Sequence, residues 1–363
     1  MARKKVVVAM SGGVDSSVAA ALLVESGFEV TGVMLKLWKG EAANSNSGCC
    51  NVGAAEDARR VADVLGIPFY VLNFADYFEE TVRRDFHSEY AAGRTPNPCV
   101  RCNHWVKFDA LLDKSIALGA RYLATGHYAR VGRSGGRYRL FRGVDHAKDQ
   151  SYVLWMLQQH HLERCLFPVG SQEKEVTREI AATLRLRTAR KPDSQEICFV
   201  RDGDFDAYVG EHLTEAAVPG PILDRRGAVV GTHRGIARYT VGQRKGLGIA
   251  LGRPVFVTGI DAAANAIRIG DREDLGTAGV ELSEASFTGE AIPRGTRVFA
   301  QYRAHGEAFP ATIEAGGRLS FDDSVDAVAP GQSVALYSSQ DPSEVLGGGI
   351  VRSTVPATTM AVG

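Results

Sequence analysis

Long hydrophobic runs are missing from this sequence. No stretch approaches the ~20 apolar residues that span a bilayer, and the apolar run behind Arg3-Lys4-Lys5 stops at Ser11-Gly12-Gly13, short of a secretory core of about 7–15 residues. The expectation is a soluble, cytoplasmic chain with no membrane partner. Net charge is missing too: 42 Lys and Arg balance 42 Asp and Glu, so bulk charge does not mark a polyanion binder. Acids are nevertheless absent locally. Residues 114–144 set Lys114, Arg121, Arg130, Arg133, Arg137, Arg139 and Arg142 against no carboxylate, and residues 225–260 do the same with Arg225, Arg226, Arg234, Arg238, Arg244, Lys245 and Arg253. Such blocks serve equally as solvated faces and as polyanion surfaces. Cysteines number six and are too unevenly spaced for a disulfide framework: Cys49-Cys50, then Cys99 and Cys102, then Cys165 and Cys198 alone. Internal repeats and low-complexity tracts are absent, which leaves an ordinary globular chain.

What is present is 363 residues at 45% hydrophobic and 23% charged, enough for two or three domains of ~100–200 residues. The chain is organised around Met10-Ser11-Gly12-Gly13-Val14-Asp15-Ser16-Ser17, which follows the apolar run 6–9 and opens a helical pattern to Ser26. Strand, glycine turn and helix make an anion site, because the glycines let backbone approach a ligand and the helix start offers N–H groups and the positive end of its dipole. A Walker loop would carry Lys then Ser or Thr after its last glycine. Here Gly13 is followed by Val14 and Asp15. No cation sits in the loop. The core Ser-Gly-Gly-x-Asp-Ser instead resembles the pyrophosphate loop of ATP pyrophosphatases, which implies adenylation with pyrophosphate as leaving group.

Residues 5–10, 29–36, 69–72 and 122–125 read as strands, alternating with helical periods at 15–26, 51–65, 78–92 and 106–118, and Gly27, Gly66 and Gly119 stand at helix ends. The predicted fold is an α/β pyrophosphate-loop domain with a parallel sheet at 1–203. A small β-rich middle domain follows at 204–277 and an antiparallel β-barrel at 278–363, where short runs lie between Gly-Gly, Asp-Asp and Pro-Gly turns. Within the first domain, 128–142 with Gly135-Gly136 reads as a hairpin. Ligands of such sheets sit beyond the carboxyl ends of the strands, which draws attention to residues 11–13, 35–36 and 126–127.

The segment Thr95-Pro96-Asn97-Pro98-Cys99-Val100-Arg101-Cys102-Asn103 carries the second signal. Its prolines bias Thr95 and Asn97 to extended backbone ahead of a Cys-x-x-Cys that leads into a helix. Cysteines there, beside Arg101, should be partly thiolate. A redox pair, half of a metal site and a nucleophile with a neighbour all fit. Cys165, Cys49 and Cys50 read as structural thiols, and Cys198, alone in a polar stretch, does so by default.

Seven blocks in order carry a resemblance over nearly the whole chain: 11–17, 95–103, Ala124-Thr125-Gly126-His127-Tyr128, Lys148-Asp149-Gln150-Ser151-Tyr152, 191–199, 240–250 and Pro330-Gly331-Gln332-Ser333. Together they resemble the tRNA-specific 2-thiouridylases, the MnmA/TrmU family. The resemblance implies an ATP-dependent exchange of the O2 of a wobble uridine for sulfur, with a persulfide-carrying protein as donor. It implies ATP contacts at Ala9, Met10, Ser11, Gly12, Gly13, Val14, Asp15, Ser16, Leu35 and Gly126, with Asp15 helping to hold Mg²⁺. By the same analogy Cys198 carries the persulfide and Cys102 attacks it or resolves the disulfide left behind. Asn97, Pro98, Cys99, His127, Lys148, Asp149, Gln150, Tyr302, Arg303 and Gln332 are the implied tRNA contacts, and the basic blocks would hold the tRNA backbone. Many members have an aspartate where this chain has Cys99. Cys99, Cys102 and Cys198 would suit a [4Fe-4S] cluster with one open iron, against a cluster-free persulfide route. Rival readings are a ligase that adenylates a small carboxylate or amide, and an RNA-binding protein with a vestigial loop.

Overall fold

The computed structural model describes residues 3–38, 52–193 and 197–357, so Cys49 and Cys50 lie outside the described residues. Strands β1 (Lys5–Ala9), β2 (Glu29–Lys36), β3 (Phe69–Asn73) and β4 (Tyr122–Ala124) are followed by a hairpin of β5 (Ala129–Ser134) and β6 (Arg137–Arg142), then by β7 (Cys165–Leu166). The first sheet has the order β3-β2-β1-β4-β7 with every pairing parallel. A parallel sheet needs both faces covered, and Val6, Val7 and Val8 are accordingly all buried although consecutive side chains point to opposite faces. Helix α1 (Val14–Glu25) lies directly behind the glycine loop. Its run of Val and Ala has no polar stripe, because it is buried over most of its circumference. Gly27 ends it at φ 79°, with Gly27 N–H donating to Val24 O and Phe28 N–H to Leu23 O, the Schellman arrangement that only a residue without Cβ adopts cheaply.

The middle sheet contains β8 (Gly220–Leu223), β9 (Val229–His233), β10 (Phe256–Asp261) and β11 (Ala266–Gly270) in the order β10-β11-β8-β9. Strands β12 (Gly276–Phe287), β13 (Arg297–Gln301), β14 (Phe309–Ile313), β15 (Arg318–Asp326), β16 (Ser333–Ser338) and β17 (Glu344–Pro356) run β12-β15-β14-β13-β16-β17, and β17 pairs back onto β12. This closes an antiparallel barrel of six strands and removes its free edges.

The hairpin is where the sheets meet. Leu140 and Phe141 of β6 pair with Val345 and Glu344 of β17, so an element read as part of the first domain extends the barrel sheet. Leu140, Tyr337, Val345 and Ile350 share one core with Leu111, Leu123 and Trp155 of the first domain. Phe86 and Tyr90 likewise pack with Tyr208, Ile236 and Ile267 of the middle region. The first domain is thereby built against both others.

Half of the cations in the acid-free blocks pair with carboxylates outside those blocks. Arg139 pairs with Glu344 at 2.9 Å and Arg142 with Asp149 at 2.8 Å, while Arg137 pairs with Glu290. Asp206 takes Arg234 and Arg238 at 3.1 and 2.7 Å, Asp271 takes Arg225 at 3.0 Å, and Asp271 also pairs with Arg253. Seven of the fourteen cations in the two blocks are thus paired, so each block is partly neutralised in space, and Arg244 and Lys245 stay exposed.

Candidate active site

The chain leaves β1 through Met10, whose N–H still donates to Val33 O at 2.8 Å, and then turns at Gly12, φ 70°. A Cβ at Gly12 would lie 2.3 Å from the carbonyl of Ala54 in helix α2 (Val52–Leu65), and one at Gly126, after β4, 2.5 Å from Ser16 N. Loop, α2 and the end of β4 thus meet backbone to backbone, which is why both positions are glycine. Gly13 caps α1 without a side chain. Inside the turn, Ser11 N–H donates to Ser16 Oγ (3.1 Å), and Ser16 Oγ and Ser17 Oγ donate to Gly13 O (3.2 and 2.8 Å). The serines hold the loop open from within, and the first-turn N–H groups keep the orientation an anion requires.

The cations absent from the loop's own sequence arrive from elsewhere. Lys174, 3% exposed at the start of the helix Lys174–Thr183, places Nζ 2.7 and 2.8 Å from the two carboxylate oxygens of Asp15 and 2.8 Å from Asp193 Oδ1. Lys191 Nζ donates to Gly12 O at 3.0 Å and to Asp57 of α2 at 2.9 Å. Lys148 closes on Asp193 at 2.8 Å, which raises its own pKa. The Tyr128 hydroxyl stands 3.1 Å from Asp15 and 2.9 Å from Thr177 Oγ1. Burial pushes the Asp193 carboxyl up, but the hydrogen bonds from Lys148 and Lys174 outweigh it and hold that acid below its usual range. Sequence reasoning missed Lys174, Asp57 and Asp193 as site residues. Only Lys191 and Asp193 had a signal, lying in a block already matched.

The cysteine segment is helical earlier than the periodicity predicts. Asn97 is extended (φ −112°, ψ 97°), and its Oδ1 accepts from Cys99 N–H (3.1 Å) and Val100 N–H (3.3 Å), with Pro98 in the first turn. Asn-Pro before a helix is a legible cap, and the predicted start at 106 passed over it. Pro98–Arg101 continues as a π-helix, Cys102–Leu111, a wide turn type that tends to occur at functional positions. Cys99 is exposed on the first turn and Cys102 is buried one turn on. The guanidinium of Arg101 is bound to Asp85 (3.2 Å) and, through two nitrogens, to Glu284 (2.5 and 2.8 Å).

Cys198 is half-buried and packs, with Phe199, against the apolar core that includes Cys102 and Phe78. The Phe199 ring makes edge contacts with Phe78 (5.8 Å) and Phe86 (5.1 Å), and Arg83 stacks on its face at 5.9 Å. Among the described residues no group of three or more Cys, His, Asp and Glu is gathered as a metal ion would require. Cys99, Cys102 and Cys198 are not gathered into such a group.

Of the implied RNA contacts, three are buried with their polar side-chain atoms engaged internally. His127, 9% exposed, bonds Thr125 Oγ1 through Nδ1 (2.7 Å) between the rings of Phe108 and Phe167. Asp149, also 9% exposed, accepts from Arg142, Gly143 N–H and both the N–H and Oγ of Ser151, so its oxygens are used. Tyr302 is buried with its hydroxyl donating to Asp326 O (3.1 Å). Cys99, Gln150 and Arg303 are exposed, and Asn97, Lys148 and Gln332 half-exposed. Pro98 and Leu35 are buried, Leu35 near the carboxyl end of β2.

Five of the nine histidines, His87, His104, His127, His160 and His212, are held below their ordinary pKa, each chiefly by burial. The shift is largest for His127, where Lys107 adds to it. A depressed histidine pKa means the unfolded chain takes up protons first as pH falls below ~6.5, so stability present above that value is lost below it. Each fully shifted group contributes a slope of about 1.4 kcal/mol per pH unit. Urea denaturation is expected to show stability declining from pH 7 to pH 5, less steeply in His127→Gln; a flat profile would contradict the burial argument.

Family models match consecutive parts of the chain: a tRNA methyl transferase HUP domain at residues 4–202, a tRNA methyl transferase PRC-barrel domain at 206–271 and an aminomethyltransferase beta-barrel domain at 277–351. The chain is 48% identical over 359 residues to the tRNA-specific 2-thiouridylase MnmA of Carboxydothermus hydrogenoformans, covering 96% of this chain and 98% of that protein. The namesake from Moorella thermoacetica is 49% identical, covering 95% and 99% of the two chains. That from Symbiobacterium thermophilum is 47% identical, covering 97% and 93%.

Proposed function

Because the chain belongs to the tRNA-specific 2-thiouridylase family, we propose that it thiolates C2 of the wobble uridine in tRNA in two stages, adenylation at the glycine loop and sulfur transfer at the cysteines. The observation that carries this is the joining of a cationic loop site to the segment ahead of Cys198: Lys191 binds Gly12 O, and Lys174 bridges Asp15 to Asp193. The methyl-transfer wording of two family models has no counterpart in this arrangement, whereas a loop that cradles pyrophosphate suits adenylation.

A carbonyl such as C2 of uracil has no leaving group. Its oxygen attacks the α-phosphorus of ATP, pyrophosphate departs, and the uracil becomes an O2-adenylate. The backbone from Ala9 to Ser16, with Gly126, lies against the phosphates, the carboxyl end of β2 at Leu35 borders the adenosine, and Lys174 and Lys191 offset charge on the leaving group. The Asp15 carboxylate together with phosphate oxygens is a donor set Mg²⁺ accepts, and the ion would further neutralise the departing pyrophosphate. The terminal sulfur of a persulfide on Cys198, delivered by a persulfide-carrying protein, attacks C2 and AMP leaves. Cys102 thiolate then attacks Cys198 Sγ, releasing the 2-thio group and leaving a Cys102–Cys198 disulfide that an external thiol reduces. This persulfide route balances without iron.

Exposed and half-exposed groups take the direct RNA contacts in this reading: Asn97, Cys99, Lys148, Gln150, Arg303 and Gln332, with Arg244 and Lys245 from the second basic block. Pro98, His127, Asp149 and Tyr302 hold those neighbours in place. The target base is turned out of the single-stranded anticodon loop. We assign residues 1–203 to catalysis, 204–277 to a linking domain and 278–363 to tRNA engagement, in the cytoplasm, where tRNA and reduced thiols coexist; no described helix is long and apolar enough to cross a membrane. The test is mass spectrometry of nucleosides from unmodified tRNA incubated with protein, ATP, Mg²⁺ and a persulfide source. ATP-dependent 2-thiouridine is expected. Its absence from protein purified both aerobically and anaerobically overturns the reading.

A further inference from the structure

Arg101 stands between the two cysteines of the Cys99–Cys102 pair, and its side chain is the most tightly held in that turn. It is 7% exposed, sets its guanidinium carbon over the Trp105 ring, 4.7 Å from the ring centre, and spends three nitrogens on carboxylates. Two of these bonds form a parallel fork, Nη1 to Glu284 Oε2 and Nη2 to Glu284 Oε1 at 2.5 and 2.8 Å; Nε binds Asp85 at 3.2 Å. A fork of this kind fixes direction as well as distance.

Its partner comes from the barrel, 183 residues away. Glu284 lies in β12 where the register against β17 shifts between Ser283 and Ser286, and its φ is 50°, in the left-handed region that non-glycine residues seldom occupy. Bulges re-aim side chains, and a strained residue persists only where its surroundings over-determine it. The barrel also grips the segment ahead of the cysteines. Thr95 N–H donates to Pro330 O at 2.8 Å, and a Cβ on Gly331 would lie 2.9 Å from Thr95 N. Both flanks of the turn are therefore set by barrel backbone or barrel side chain.

We propose that Glu284 is a positioning residue for sulfur transfer: acting through Arg101, it holds the turn bearing Cys99 and Cys102 in register with the barrel, so that the barrel is a component of the cysteine site. Where this concerns sulfur transfer it rests on the function proposed above. The clamp can nevertheless be read without that function.

Two variants of the full-length protein test it. Glu284→Ala removes the clamp and keeps the unfavourable backbone; Glu284→Gly removes the clamp and relieves the backbone, so it is expected to fold at least as well as the parent. The first measurement is the alkylation rate of each cysteine with iodoacetamide, followed by peptide mass spectrometry. In both variants buried Cys102 is expected to react several-fold faster and exposed Cys99 at the parental rate. The second is single-turnover thiolation, expected to fall by about 10²-fold, the scale of a reacting group displaced by an ångström, with KM for tRNA and ATP-dependent pyrophosphate release unchanged. Glu284→Asp should recover part of both. Parental Cys102 reactivity in a folded Glu284→Gly protein overturns the clamp. A parent that does not thiolate tRNA at all overturns the functional reading, and the alkylation result still decides the clamp.

Discussion

Lys174→Met is expected to abolish pyrophosphate release and to destabilise the protein by about 3 kcal/mol, near the lower end for breaking a buried ion pair by removing one partner. The lysine side chain is 4% exposed and faces Asp15 and Asp193, whose side chains keep 30% and 24% of their exposure. A surface pair would contribute only ~0–1 kcal/mol. Burial of the cation places the case well above that, and the partial exposure of both acids keeps it from the upper end. Without Lys174 Asp15 loses its cation and Asp193 keeps only Lys148 and Arg178, beside a loop that must also receive the negative charge of a triphosphate, so the loss in catalysis exceeds the loss in stability. Urea denaturation and a coupled pyrophosphate assay measure the two separately. Lys174→Met/Asp193→Asn should recover part of the stability, since one acid is neutralised, and none of the activity. A single variant with parental stability and turnover would show that the cation is dispensable.

Cys102→Ser is expected to remove all detectable 2-thiouridine while leaving tRNA-dependent pyrophosphate release intact. Cys102 is 9% exposed and among core residues, so the sulfur-to-oxygen exchange adds no bulk, while the buried hydroxyl costs about 1–3 kcal/mol unless it is hydrogen-bonded. The chemistry changes completely, because a serine hydroxyl is not ionised near neutral pH and forms no disulfide. Cys198→Ser should give the same pair of results, with the added loss of the persulfide mass on the protein. Normal thiolation by Cys102→Ser would move the resolving role to Cys99, exposed one turn earlier. Loss of pyrophosphate release in both variants would mean that the cysteines act during adenylation, contrary to the two-stage scheme.

The residues themselves determined what depends on near neighbours. A strand, two glycines and a helix start form the anion loop from residues within a dozen positions of one another, and Gly27 ends α1 because its φ suits that position. The bounds of β2 emerged from alternation and turns alone. The Asn97 cap was equally local and was passed over only because the apolar periodicity becomes regular later. Tertiary structure decided where charge goes. Lys174 meets Asp15 across 159 positions and Arg101 meets Glu284 across 183, while several arginines of each acid-free block, Arg139 and Arg238 among them, find carboxylates supplied by other elements. It also decided that the hairpin of β5 and β6 joins the barrel through β17. The physical reason is range. Backbone conformation follows from the sterics and hydrogen bonds of adjacent residues, whereas ion pairs and shared cores form between any groups the fold brings within a few ångströms, and sequence separation carries no record of that approach.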